Sequence, residues 1–128
     1  MLQPRSTEFP IEISYNKVKT IINTKDIAYI ESNSRRLEIH CSNGEVHYCS
    51  AQLADFFQLM PIWWERVHQS FAINLECIKE VSVSKIKMNN GDVVPISRRY
   101  VRQAAIRINN YNKVRTLQIP FTKTEKQL

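Results

Sequence analysis

The chain has 128 residues, 43% hydrophobic and 23% charged, an ordinary composition for a single globular domain, and a net charge of +6 with a pI near 9.4. No apolar run approaches the roughly 20 residues of a membrane span, the opening Met1-Leu2-Gln3-Pro4-Arg5 lacks the apolar stretch of a signal peptide, and no metal or cofactor motif stands out. The three cysteines, Cys41, Cys49 and Cys77, are an odd set at irregular spacing; they exclude a disulfide framework and fit a reducing, cytoplasmic setting.

Residues 1–10 are polar, contain two prolines, and read as an N-terminal arm. Ile11-Glu12-Ile13-Ser14-Tyr15 and Val18-Lys19-Thr20-Ile21-Ile22 alternate with period two about Asn16-Lys17, which predicts a first hairpin. Ile27 to Glu31 reads as a short buried strand, and Ser32-Asn33-Ser34-Arg35-Arg36 as a polar loop. Leu37, Ile39 and Cys41 then alternate with Glu38 and His40. Asn43-Gly44 is a strong hairpin signal, because both turn positions need a positive φ, and Val46 and Tyr48 alternate on the return. Leu53, Phe56, Phe57 and Met60 fall at helical spacing, so a helix capped by Ser50 is predicted over 51–59, ending before Pro61. Val67 to Leu75 looks extended. Residues 81–88 and 93–96 suggest a hairpin about Asn90-Gly91. Ser97 is placed to cap a last helix over 98–108. Its expected apolar face is Tyr100 or Val101, Ala104, Ala105 and Ile108, and its outer face Arg98, Arg99, Arg102 and Arg107. Residues 109–128 read as a polar C-terminal extension with one apolar patch at Leu117, Ile119 and Phe121. Many short strands and two modest helices predict a mainly β, antiparallel fold.

The positive charge is concentrated. Residues 1–60 carry six basic and seven acidic side chains, and residues 61–128 carry twelve and five. A basic half-domain is the electrostatic footprint of a nucleic-acid partner, although a merely solvated basic surface would look the same. Two clusters lie in that half. In an extended Arg66-Val67-His68-Gln69-Ser70, the residues Arg66, His68 and Ser70 share one face, where they can contact phosphate oxygens or structure a turn. The Gln69 amide can pair both its donor and its acceptor with adenine. The bland alternative is a polar edge strand with one hydrogen-bonded histidine. In Ser97-Arg98-Arg99, free backbone N–H groups at a helix start favour phosphate, and either arginine can reach the O6 and N7 of guanine. Basic residues there run against the helix dipole, which favours a bound anion over a plain solvated face. The pair Arg35-Arg36 suits a loop tip that enters a groove, but charged loop tips are common.

Two other chemistries are disfavoured. His40, Cys41, His47 and Cys49 lie on strands paired about Asn43-Gly44, and three of them could share a face, but the set has no C-x-x-C spacing and no evident fourth ligand. Ser70 near His68 lacks a nucleophile-elbow context and an obvious orienting carboxylate, and the only glycines, Gly44 and Gly91, form no phosphate loop. Neither an enzyme nor a metal site is expected.

Taken in order, Asp26-Ile27-Ala28-Tyr29-Ile30-Glu31, the Trp64–Asn74 stretch with its Arg-x-His-x-Ser core, and Asn90-Gly91 followed by Pro95-Ile96-Ser97-Arg98-Arg99-Tyr100 resemble the LytTR family of bacterial DNA-binding domains, over roughly residues 11–108. The resemblance implies an elongated fold of antiparallel strands in three small sheets with one or two short helices. It implies binding to double-stranded DNA, in pairs on promoter repeats, through loops that enter successive major grooves. The family's base-contacting places fall here on Arg35 with Arg36, on Gln69 and on Arg98, and His68, Ser97 and Arg99 become phosphate or positioning contacts. Family members often carry a basic or amide residue where Gln69 stands. The commoner family architecture adds an N-terminal receiver domain, which the roughly ten residues before the first strand do not accommodate; a stand-alone regulator and a fragment of a longer one are both consistent. Two rival readings remain from the residues themselves. One is a protein-interaction module that pairs with a related regulator without binding DNA, using the patch at Leu117, Ile119 and Phe121. The other is a redox sensor through the three cysteines, although their strand positions predict burial and slow thiols.

Overall fold

The structure is a computed structural model and describes residues 8–115, with side chains as far as Tyr111. It contains three antiparallel sheets and two helices. Strands β1 (Pro10–Tyr15) and β2 (Val18–Asn23) form a hairpin sheet. The central sheet has the order β5-β4-β3-β7-β6, from β3 (Ile27–Asn33), β4 (Arg36–Cys41), β5 (Val46–Cys49), β6 (Trp64–His68) and β7 (Phe71–Asn74). A third sheet has the order β10-β9-β8, from β8 (Ile78–Val81), β9 (Lys85–Met88) and β10 (Val93–Pro95). Helix α1 spans Leu53–Phe57 and α2 spans Arg98–Arg115. The mainly β, three-sheet expectation is therefore met.

The central sheet is covered on both faces. On one side Ile13 and Ile22 of the first hairpin and Leu53 and Phe56 of α1 pack over Ile30, Leu37, Ile39 and Trp64. On the other side Ile86, Met88 and Val94 of the third sheet and Ala104 and Ile108 of α2 pack over Tyr29, Val67 and Ile73. This double cover explains why β3 reads as a continuous apolar run, whereas β4 alternates strictly between buried and half-buried positions. A register slip between Ile27 and Tyr29 lets Ile27 and Ile30, three positions apart, enter the same core.

Several local expectations need correction. The segment 32–36 is not a loop: Asn33 pairs with Arg36, so only Ser34 and Arg35 form the turn, with Ser34 at φ +60°. Helix α1 is five residues long and begins after Gln52 rather than Ser50. Val67–Leu75 is not one strand, because β6 and β7 are separate strands joined through Gln69-Ser70. Val81 belongs to its own strand, β8, while the hairpin about Asn90-Gly91 joins β9 to β10. Helix α2 continues past 108 to Arg115; Ala105 is exposed, and Arg107 turns inward rather than outward. The expected patch at Leu117, Ile119 and Phe121 lies outside the described residues. No helix among the described residues is long and apolar enough to cross a membrane.

Candidate nucleic-acid interface

Three chain segments meet at one end of the central sheet. The β3–β4 and β6–β7 turns lie side by side, tied by Ser32 N donating to Ser70 O at 2.8 Å. The start of α2 is tied to the same place by Ser97 N donating to Val67 O at 2.9 Å. From there α2 runs back along β6. Gln103 Nε2 donates to Glu65 Oε2 at 2.9 Å, Arg107 Nε pairs with Glu65 Oε1 at 3.2 Å, and Arg107 Nη2 donates to the Ile62 carbonyl. Glu65 is only 4% exposed, and burial raises its carboxyl pKa despite the opposing pull of Arg107 and Gln103. This anchor fixes the direction of α2, and so the place where its first turn emerges.

Arg35, Gln69, Arg98 and Arg99 are exposed, and Arg36, His68 and Ser97 are half-buried. Arg35 and Gln69 line one groove of about 540 Å³ with Ser32, Ser34 and Arg66. The guanidinium carbons of Arg66 and Arg99 each lie 5.7 Å from the Tyr100 ring centroid, which places the first turn of α2 beside the β6–β7 turn. Ser97 contributes through its backbone: besides the bond to Val67, its carbonyl accepts from Tyr100 N at 3.0 Å.

Arg36 is engaged within the protein. Its guanidinium sits 4.0 Å from the Tyr48 ring centroid, Nη1 donates to the Tyr15 hydroxyl at 3.4 Å, and Nη2 pairs with Glu38 Oε2 at 3.7 Å. Arg35 is therefore the arginine presented at the turn, with Arg36 bracing its base. His68 is also occupied: Nδ1 accepts from Ser70 N at 3.0 Å, and the ring stands edge-on to Phe71 with centroids 5.4 Å apart. In the neutral ring this bond puts the N–H on Nε2.

The sequence offered two uses for Arg66 and His68, phosphate contact or turn building, and in the structure both side chains brace the turn. The single shared face expected for Arg66, His68 and Ser70 does not exist, because the register slips between Arg66 and His68 and the chain turns at Gln69. What sequence reasoning missed is that Arg66 holds the Gln69 carbonyl while lying beside Tyr100 of α2. Its partners, Gln69 O and the Tyr100 ring, carry no signal in a strand pattern.

The four candidate metal ligands separate. Cys41 and Cys49 are buried in the core beneath the first hairpin, His47 pairs with Glu45, and His40 lies on the opposite face of β4 among Glu31, Glu38 and Asp92. His40 stacks on Tyr29 with centroids 4.3 Å apart, and the Tyr29 hydroxyl donates to Asp92 Oδ2 at 2.9 Å, so this polar group binds the β3–β4 hairpin to the β9–β10 turn. Burial, helped by Asp92, raises the pKa of the Tyr29 phenol.

A family model for the LytTr DNA-binding domain matches residues 17–109. The chain belongs to the LytTr DNA-binding domain family. A solved LytTr DNA-binding domain from Bacillus cereus superposes with a TM-score of 0.68 at 19% identity, over 77% of this chain and 95% of that one. A protein of Shewanella oneidensis described as an uncharacterized response regulatory protein is 27% identical over 106 residues, covering 80% of this chain and 43% of the relative. The chain thus spans less than half the length of that relative. By the description of its family, this LytTr domain is a DNA-binding module.

Proposed function

We propose that the chain is a sequence-specific regulator that inserts the β3–β4 turn, the β6–β7 turn and the first turn of α2 into successive major grooves on one side of a duplex, acting in pairs on repeated sites. The observation that carries this reading is the meeting of Arg35, Gln69 and the Arg98-Arg99 turn at one end of the central sheet. Arg35, Gln69 and Arg98 are the base readers. A planar guanidinium suits guanine O6 and N7, and an amide suits adenine N6 and N7. Arg99 and the half-buried Ser97 and His68 serve the backbone or the geometry of the site. Arg36 serves chiefly as a brace for Arg35. Lys85 and Lys87 add to affinity through counterion release and carry no sequence information.

The test is a gel-shift titration on a duplex selected by the wild-type protein and on its scrambled counterpart, at several salt concentrations. Wild type binds the selected duplex more tightly, and both affinities fall steeply with salt. Arg98→Ala loses about 1–3 kcal/mol on the selected duplex and relaxes preference at one base pair. No shift on any duplex at low salt would turn the assignment towards a protein-interaction module. Arg98→Ala binding both duplexes as wild type does would remove Arg98 from the readers.

A further inference from the structure

The β6–β7 connection has two residues, Gln69 and Ser70, and two-residue hairpin loops normally rely on positive φ angles to match the twist of the flanking strands. Asn16 and Lys17 satisfy that rule in the first hairpin, and Ser34 satisfies it in part between β3 and β4. Neither Gln69 nor Ser70 has a positive φ. The backbone of this turn is held by side chains instead. Arg66 Nη2 donates to Gln69 O at 2.8 Å and Nε donates to His68 O at 3.4 Å, while His68 Nδ1 accepts from Ser70 N at 3.0 Å. The same guanidinium faces the Tyr100 ring in the first turn of α2.

We infer that Arg66 is a positioning residue for sequence recognition: it fixes the Gln69 backbone, and hence the aim of the Gln69 amide, relative to the Arg98-Arg99 turn. This rests on the reading above that Gln69 contacts a base. A fork of fixed N–H directions is needed, because two carbonyls of adjacent residues are gripped while the guanidinium carbon stays 5.7 Å from the Tyr100 ring centroid. A lysine ammonium keeps the charge but offers neither the fork nor the plane. The main effect of Arg66 therefore falls on which sequence is bound, and only secondarily on how strongly DNA in general is held.

The experiment selects bound duplexes from a random-sequence pool with wild type, Gln69→Ala, Arg66→Lys and Tyr100→Leu, and measures salt dependence and thermal stability for each. Gln69→Ala flattens preference at one base position. Arg66→Lys flattens the same position, with discrimination there falling about tenfold, and leaves the salt slope unchanged because the charge is conserved. Tyr100→Leu produces a smaller loss at that position and covers the case in which Arg66→Lys does not fold. A position flattened by Gln69→Ala but left sharp by both Arg66→Lys and Tyr100→Leu would overturn the inference. So would affinity lost uniformly across sequences, the mark of a purely structural or purely electrostatic role. If Gln69→Ala flattens no position, the base-reading role of Gln69 fails first, and the positioning role falls with it.

Discussion

Replacing Asn74 with alanine removes two hydrogen bonds made by one side chain that is 1% exposed. Its Oδ1 accepts from Glu76 N at 2.9 Å and starts the 3₁₀ turn after β7, and its Nδ2 donates to the Ile27 carbonyl at 3.0 Å, pinning that turn to the beginning of β3. Asn23 supplies an internal control. It starts the turn before β3 in the same way, accepting from Lys25 N at 3.0 Å, but at an exposed site. Asn23→Ala should therefore cost about 0.5–1 kcal/mol, the loss of a solvated cap. Asn74→Ala loses an equivalent cap and also leaves the buried Ile27 carbonyl with only the Cys77 thiol at 3.8 Å, which adds about 1–3 kcal/mol. Urea unfolding followed through the fluorescence of Trp63 and Trp64 measures both variants, and comparison of midpoints is valid where the slope m is unchanged. Asn74→Asp sharpens the test: it keeps an acceptor for Glu76 but turns a carboxylate oxygen towards a carbonyl, so it should be at least as damaging as alanine. If Asn74→Ala proves no more destabilising than Asn23→Ala, the buried bond to Ile27 contributes nothing and the argument fails.

Burial raises the pKa of all three thiols, that of Cys41 to about 11, so very little of it is thiolate at neutral pH. Native protein should be labelled by a thiol reagent more than about tenfold more slowly than urea-unfolded protein, and rapid native labelling would restore the redox-sensor reading. Glu65 gives a pH signature. Because its folded pKa is raised, its contribution to stability is full below the ordinary glutamate range and is lost as pH rises through the folded value. Glu65→Gln should therefore gain stability relative to wild type between acid and neutral pH in parallel thermal melts. A wild type that gains instead would mean that the pairing with Arg107 outweighs desolvation.

Local pattern was enough for much of this molecule. The alternation of Leu37, Ile39 and Cys41 gave β4, the Asn-Gly pairs gave two hairpins, and the basic second half with its Arg-x-His-x-Ser and Ser-Arg-Arg clusters gave the candidate interface. These features depend on side-chain period, on turn chemistry and on charge, all properties of neighbours in sequence. Other outcomes depended on contacts across the fold. Arg107 looked like part of a solvated helix face until Glu65, 42 positions earlier, was found beneath it. Arg36 looked like a second groove-entering cation until Tyr48 and Tyr15 took its guanidinium. The 67–75 segment looked like one strand because its apolar residues are contiguous, and only the pairing of β6 with β7 revealed the turn that presents Gln69. The sequence by itself singled out which side chains are candidates to meet DNA. Tertiary structure decided which of those candidates are exposed and which are engaged within the protein, because hydrogen bonds and stacking between residues far apart in sequence exist only once the sheets and α2 have packed.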